Sequence, residues 1–280
     1  MQTFMLTADA FATLYLVQPV RRLASRPGLG VPILMYHSVS DPEDSHQGYF
    51  QTTARPAVFA EHMKFLHDEG YRVVGIGEVP KILEDPRGLD TRPVAITFDD
   101  GFEDFYTHAF PALEGYGFKA TMYLPTAYIG EEHITFKGRR CMSWSQVREI
   151  GGRGIEIGSH TVTHPLLKFK KLEDVRHEIR SSKDTIEYKL GKPVTSFAYP
   201  YAFPETDRDF RERLRGFLEE AGYENGVSTI LGTASRSGDR YFMKRLPANS
   251  RDDLRLFRAK LEGGYDWLHT VQYASKFFKA

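Results

Sequence analysis

The sequence predicts an α/β protein whose parallel sheet is closed, or nearly closed, into a barrel. Three observations carry that expectation. Short apolar, β-branched runs alternate with amphipathic stretches over about 250 residues, the pattern of strand–helix units. A helix-to-glycine-to-strand unit recurs, at Leu66…Gly70-Tyr71, Leu113…Gly117-Phe118 and Leu218…Gly222-Tyr223, each followed by a β-prone segment. Finally, the apolar run Val94-Ala95-Ile96 leads into Thr97-Phe98-Asp99-Asp100-Gly101. Acidic residues at the carboxyl end of a parallel strand lie where such proteins build their sites.

Taken in order, the first stretch is an apolar segment holding Phe4, Met5, Leu6, Phe11, Leu14, Tyr15, Leu16 and Val17, interrupted by Asp9 and followed by Pro19, Arg21 and Arg22. A secretory leader carries its positive charge first, and a transmembrane helix needs ~20 apolar residues. The segment is therefore read as a docking helix, with weak interfacial membrane contact as the alternative. Residues 25–30 are a Pro/Gly linker. The organisation expected is an N-terminal helix and linker over 1–30, then a single domain over 31–280, with its core at 31–250 and a C-terminal helix and tail at 251–280.

Val31-Pro32-Ile33-Leu34-Met35-Tyr36 reads as a strand ending at His37, and residues 41–53 as a polar loop. Phe59, Met63 and Leu66 share a helix face that stops at Gly70. Further strands are expected over 71–75, 94–98, 120–124, 155–158, 195–199 and 227–230. Ser143-Trp144-Ser145-Gln146 is a capping box opening a short helix. Residues 172–190 present Val175, Ile179, Ile186 and Leu190 on one face, and Leu254, Phe257 and Leu261 mark another helix before Gly263-Gly264. The rest reads as an aromatic, mildly basic tail.

The totals exclude several classes. With 280 residues, 41% of them hydrophobic, the chain has ample core. Lys+Arg and Asp+Glu are 37 each, so no basic excess points to nucleic acid. The single cysteine, Cys141, rules out an internal disulfide and reads as a small core residue.

The chemistry gathers at two motifs. Asp99 and Asp100 point to opposite sides of an extended strand unless the chain turns at Gly101. Gly158-Ser159-His160-Thr161-Val162-Thr163-His164 follows another strand, and its two histidines, four apart, are expected on one face of a helical turn. Two imidazoles and one carboxylate supply three protein ligands and leave an open position, the plan of a catalytic metal site. Thr161 and Thr163 are read as shaping that loop. Glu103 and Asp104 are expected in the first turn of the next helix, where acid suits the dipole. His46, His62, His67, His108, His133 and His177 are read as surface or helix-face residues.

Together the two motifs resemble the polysaccharide deacetylases of carbohydrate esterase family 4, the NodB homology domain, over roughly residues 31–250. The resemblance implies a distorted (β/α)7 barrel, a divalent metal and hydrolysis of N-acetyl groups on an amino-sugar polymer such as an exopolysaccharide. Zinc is the expected ion, with cobalt, nickel and manganese as alternatives. Asp99 would be the base, and Asp100, His160 and His164 the metal ligands. In Phe197-Ala198-Tyr199-Pro200-Tyr201-Ala202, Tyr201 matches the motif tyrosine whose backbone N–H faces the oxyanion. Tyr199, Pro200 and Trp144 would line the sugar groove. The motif arginine is missing and Ala202 replaces glycine, so the partner of Asp99 is sought at Lys244 or Arg245. The general acid is placed at His37, as in the circularly permuted poly-N-acetylglucosamine branch, in preference to His269. An O-acetyl esterase or small-amide hydrolase on the same barrel, and a silent glycan-binding barrel, are the competing readings. A cytoplasmic location is favoured over a periplasmic or extracellular one. The expected partner is an N-acetylated glycan; neither nucleic acid nor a transmembrane segment is expected.

Overall fold

A computed structural model describes residues 7–23, 30–41 and 52–277. The linker expected at 25–30 and the loop at 41–53 lie largely outside the described residues. Seven parallel strands close on themselves: β1 (Ile33–Tyr36), β2 (Pro93–Phe98), β3 (Ala120–Leu124), β4 (Ile155–Ser159), β5 (Ser196–Ala198), β6 (Asn225–Leu231) and β7 (Met243–Pro247). Neighbours in sequence are neighbours in space, and the ring is shut by β7 against β1, with Leu246 opposite Leu34. An eighth strand, Arg72–Val74, pairs with the lower half of β2 outside the ring.

The distortion has two visible sources. β4 and β5 share a single register pair, Ser159 with Phe197. Between β6 and β7 the register slips from Val227/Met243 to Leu231/Arg245. All six residues of β2 are buried, as expected for a strand covered on both faces. Ile33, Ala95, Tyr123, Ala198, Val227 and Met243 form a separate apolar cluster inside the barrel, with Ile76, Val79 and Leu83 packed against it.

The helices follow their sequence signals. α1 (Pro56–Asp68) buries Phe59, Met63 and Leu66. α2 (Trp144–Gly152) opens on the capping box, with Ser143 accepting from the Gln146 N–H and Gln146 returning a bond to the Ser143 N–H. α3 (Leu172–Leu190) buries Val175, Ile179 and Ile186 and stops at left-handed Gly191. α4 (Arg208–Glu220) and α5 (Leu254–Leu261) follow.

Two expectations are corrected. Residues beyond 265 form a helix, α6 (Leu268–Phe277). Gln272 on it bonds the Leu231 N–H and the Thr229 carbonyl, extending the edge of β6. His62 is fully buried rather than superficial. Its nitrogens meet the Tyr36 hydroxyl at 2.9 Å and the Asp252 carbonyl at 2.8 Å, and its ring stacks on Phe257. The helix face of α1 that carries it packs on α5, which sequence spacing within α1 cannot reveal. The N-terminal segment is helical from Ala8 to Leu23, wound as π over Thr13–Val17. It docks through Gln18 on the Ala259 carbonyl and through Thr13 on the Trp267 indole. Among the described residues no helix is long and apolar enough to cross a membrane.

Candidate active site and metal centre

The site is assembled at the carboxyl ends of β1, β2, β4, β5 and β7. Asp99 continues the β2 ladder, its N–H bonding the Tyr36 carbonyl. Asp100 then turns away, with φ 73, and Gly101 follows at φ 68. Two successive left-handed residues send the adjacent carboxylates in different directions. At Gly101 a Cβ would lie 2.9 Å from the Ile129 side chain and 3.0 Å from Leu124.

Asp99 is 2% exposed. Both its oxygens are taken by Arg245, at 2.7 Å each. Arg245 itself is fully buried and also bonds Thr97 and the Ser228 carbonyl. Of the two candidates weighed for this partnership, Arg245 occupies it. Lys244, next along the strand, points to the other side and meets His269 Nδ1 at 3.1 Å. Burial pushes the Asp99 carboxyl up, but the Arg245 charge and then His160 overcome it, holding the group at about 2.

Asp100 faces two imidazoles. Its Oδ1 lies 3.2 Å from His164 Nε2 and 3.7 Å from His160 Nε2. One ligand atom from each of the three buried residues can be chosen so that all lie within 4.8 Å of one another. His160 Nδ1 donates to the Ala198 carbonyl at 2.7 Å, leaving Nε2 free as a ligand. Burial lowers His160 to about 3, so the ring stays neutral. Asp100 Oδ1 is a buried oxygen with no well-formed hydrogen bond. An orphaned carboxylate oxygen between two imidazoles fits a divalent cation.

The histidine segment is not a helical turn. It is an irregular loop in which Thr161 and His164 take φ values of 70 and 53. Glu178 of α3 holds it, accepting from the Val162 and Thr163 N–H groups at 2.8 Å and from the Thr163 hydroxyl. Thr161 accepts from the His164 N–H. Backbone in this region is costly for residues with a Cβ. Five of the six such non-glycine residues among those described border the site: Asp100, Lys137, Thr161, His164 and Tyr201.

His37, at the end of β1, places Nε2 4.0 Å from Asp99 Oδ2. His269 lies elsewhere, with Nε2 on Glu205 at 2.7 Å and Nδ1 against Lys244. Tyr201 has φ 57, and its ring stands edge-on to His164 with centroids 4.5 Å apart. The aromatic wall differs from the one expected. Trp144 is 3% and Tyr199 2% exposed, both packed into the core, and Pro200 is also buried. The open ring is Tyr201, 44% exposed.

Two groups escaped the sequence reading. Asp104 does more than satisfy a helix dipole. It accepts from the Ser38 hydroxyl at 2.5 Å and the Val39 N–H at 3.1 Å, tying down the chain just after His37. Lys137 reaches Asp100 Oδ2 at 3.2 Å. It sits at a hairpin tip, for which Lys137-Gly138 between two short runs was the available signal.

The chain is similar to known proteins along most of its length. A family model for polysaccharide deacetylase matches residues 87–225. YxkH of Bacillus subtilis, which carries polysaccharide deacetylase as a provisional name, is 32% identical over 216 residues, covering 77% of this chain and 70% of its own. The chain belongs to the polysaccharide deacetylase family. Members of this deacetylase family are hydrolases of amide bonds, and the chain is an enzyme of that class. A Streptococcus pyogenes deacetylase, PplD, solved with acetate, is 26% identical with a TM-score of 0.69, over 84% of this chain and 99% of that one. The poly-β-1,6-N-acetyl-D-glucosamine N-deacetylase of Escherichia coli K12 is 27% identical over 144 residues, 48% of this deacetylase. The chain spans only 21% of that protein's length.

Proposed function

We propose that the chain removes N-acetyl groups from an amino-sugar polysaccharide, with Asp99 as base, His37 as acid and a divalent ion on Asp100, His160 and His164. The observation that carries this reading is the division of two adjacent carboxylates. One is locked to a buried arginine, and the other is turned toward two buried histidines with an oxygen left over.

A divalent ion held there would polarise the acyl oxygen and lower the pKa of a water from ~15.7 toward ~7, easing transfer of its proton to Asp99. Asp99, fixed by both oxygens, accepts the proton without having to reorient. The Tyr201 N–H, at a left-handed corner beside His164, serves the developing oxyanion. His37 Nε2 then delivers a proton to the departing nitrogen, without which an amine anion cannot leave. His269, engaged by Glu205 and Lys244, takes no part.

Zinc suits two imidazoles and a carboxylate. The family and its poly-N-acetylglucosamine relatives support a β-linked, N-acetylated polymer as the substrate class. The deciding experiment compares acetate release from N-acetylglucosamine oligomers with release from an aryl acetate. Free amines appearing in step with acetate support the proposal. Turnover of the ester alone overturns it in favour of an O-acetyl esterase. Oligomer binding without acetate at any metal concentration leaves a silent binding barrel.

A further inference from the structure

The two oxygens of Asp100 have different neighbours. Oδ1 faces the two histidines and is otherwise orphaned. Oδ2 meets the ammonium of Lys137 at 3.2 Å. The lysine is delivered by a built structure. Phe136 pairs with Arg139 and Thr135 with Arg140 in an antiparallel hairpin. Its two-residue loop, Lys137-Gly138, has φ of 50 and 76, the doubly left-handed turn that closes such hairpins tightly.

The hairpin is clamped on both flanks. Phe136 stacks on Tyr128 at 4.0 Å and meets the His164 ring edge at 5.3 Å. Arg139 bonds Ser38 and Asp104. The Met142 N–H bonds the Gly101 carbonyl, next to Asp100 itself. The Lys137 ammonium lies over the Phe136 ring at 4.6 Å and the Tyr201 ring at 5.2 Å. Two aromatic faces and a carboxylate oxygen therefore hold a side chain that would otherwise be mobile.

We propose that Lys137 is a positioning residue that restricts Asp100 to one-oxygen ligation of the metal and so keeps a coordination position open. The inference rests on the metal reading of Asp100, His160 and His164. With Oδ2 engaged by an ammonium, the carboxylate offers the ion Oδ1 alone. The same positive charge withdraws donor strength from the carboxylate and repels a divalent cation nearby. Most groups behind a ligand strengthen its hold on the ion; a cationic one weakens it. Lys137 thereby trades affinity for an open, electrophilic centre.

The test uses Co2+ as the probe, in wild type, Lys137→Met and Lys137→Arg. Lys137 sits on an exposed turn, so the variants are expected to fold. Lys137→Met should bind Co2+ about tenfold more tightly. Its visible absorption should weaken as Asp100 becomes bidentate and the coordination number rises. kcat should fall while the glycan KM stays within about twofold. Lys137→Arg, which keeps charge and donor, should hold affinity and spectrum near wild type. If Lys137→Met matches wild type in Co2+ affinity and spectrum, or binds Co2+ more weakly, the inference is overturned while the metal reading stands. A wild type that takes up no Co2+ removes the metal reading and this one with it.

Discussion

Arg245 and Asp99 meet inside the barrel through two parallel charge-assisted bonds, one from each terminal guanidinium nitrogen and both 2.7 Å long. Neither side chain is more than 2% exposed. The pair joins β7 to the end of β2 and fixes the orientation of the proposed base.

Arg245→Met leaves a buried carboxylate without its counterion, and the expected cost is ~3–5 kcal/mol of stability. Arg245→Lys keeps the charge but loses the fork, so it should fold better yet stay impaired. Asp99→Asn should keep its metal and lose ~10²–10⁴ in kcat. Urea midpoints, metal content and acetate release measure the three outcomes. A wild-type midpoint for Arg245→Met would contradict the role given to the pair.

His37→Ala should slow deacetylation by ~10²–10⁴. His269→Ala should stay within a few-fold of wild type, because its partners Glu205 and Lys244 lie outside the proposed chemistry. The reverse ranking would move the acid to α6.

Removing metal with a chelator should abolish acetate release and lower the melting temperature. An ion held at a hundredfold its Kd adds ~2.7 kcal/mol to stability. His160→Ala should reproduce the loss of activity and bind less than one equivalent of metal. Full activity after exhaustive dialysis against chelator would exclude the metal reading.

Stability of the metal-free protein should fall as pH drops below neutral. Burial lowers His160 to about 3, and also lowers His62 from its usual 6.5. Between the folded and unfolded values the unfolded chain binds more protons, so each such histidine costs up to ~1.4 kcal/mol per pH unit below 6.5. Asp99 acts later. Its depressed carboxyl adds stability above 3.8 that is lost only as pH falls toward about 2. Asp104 and Glu156, raised chiefly by burial, pull the other way at acid pH. Urea midpoints between about pH 7 and 5.5 should therefore fall, and a rising profile there would refute the histidine effect.

The sequence exposed what is local. The capping box at Ser143, the α3 stripe and the stop at Gly191 are short-range signals, and each appears where its spacing places it. The closed barrel followed from alternating elements, and Asp99-Asp100 from its position at a strand end. Distance in the chain hid the rest. Lys244 and Arg245 looked equivalent because consecutive strand residues face opposite sides, and only the register of β7 against β6 tells which points inward. Trp144 was assigned to the groove by resemblance alone, and a cap position fixes the backbone but says nothing about what covers the ring. Lys137 was overlooked because a hairpin of two-residue strands has too little alternation to register as one. His62 was misjudged because its burial depends on α5, nearly 200 residues away.

The bond between Arg245 and Asp99 spans 146 residues of sequence. On a ribosome adding ~5–20 residues per second, that interval lasts roughly 7–30 s. Throughout it the Asp99 carboxylate has no counterion to be buried with, so β2 cannot settle as an interior strand at native cost. Closure of the cylinder and completion of the proposed catalytic apparatus are thus one late event, and nascent chains ending before β7 should be inactive and open to proteases.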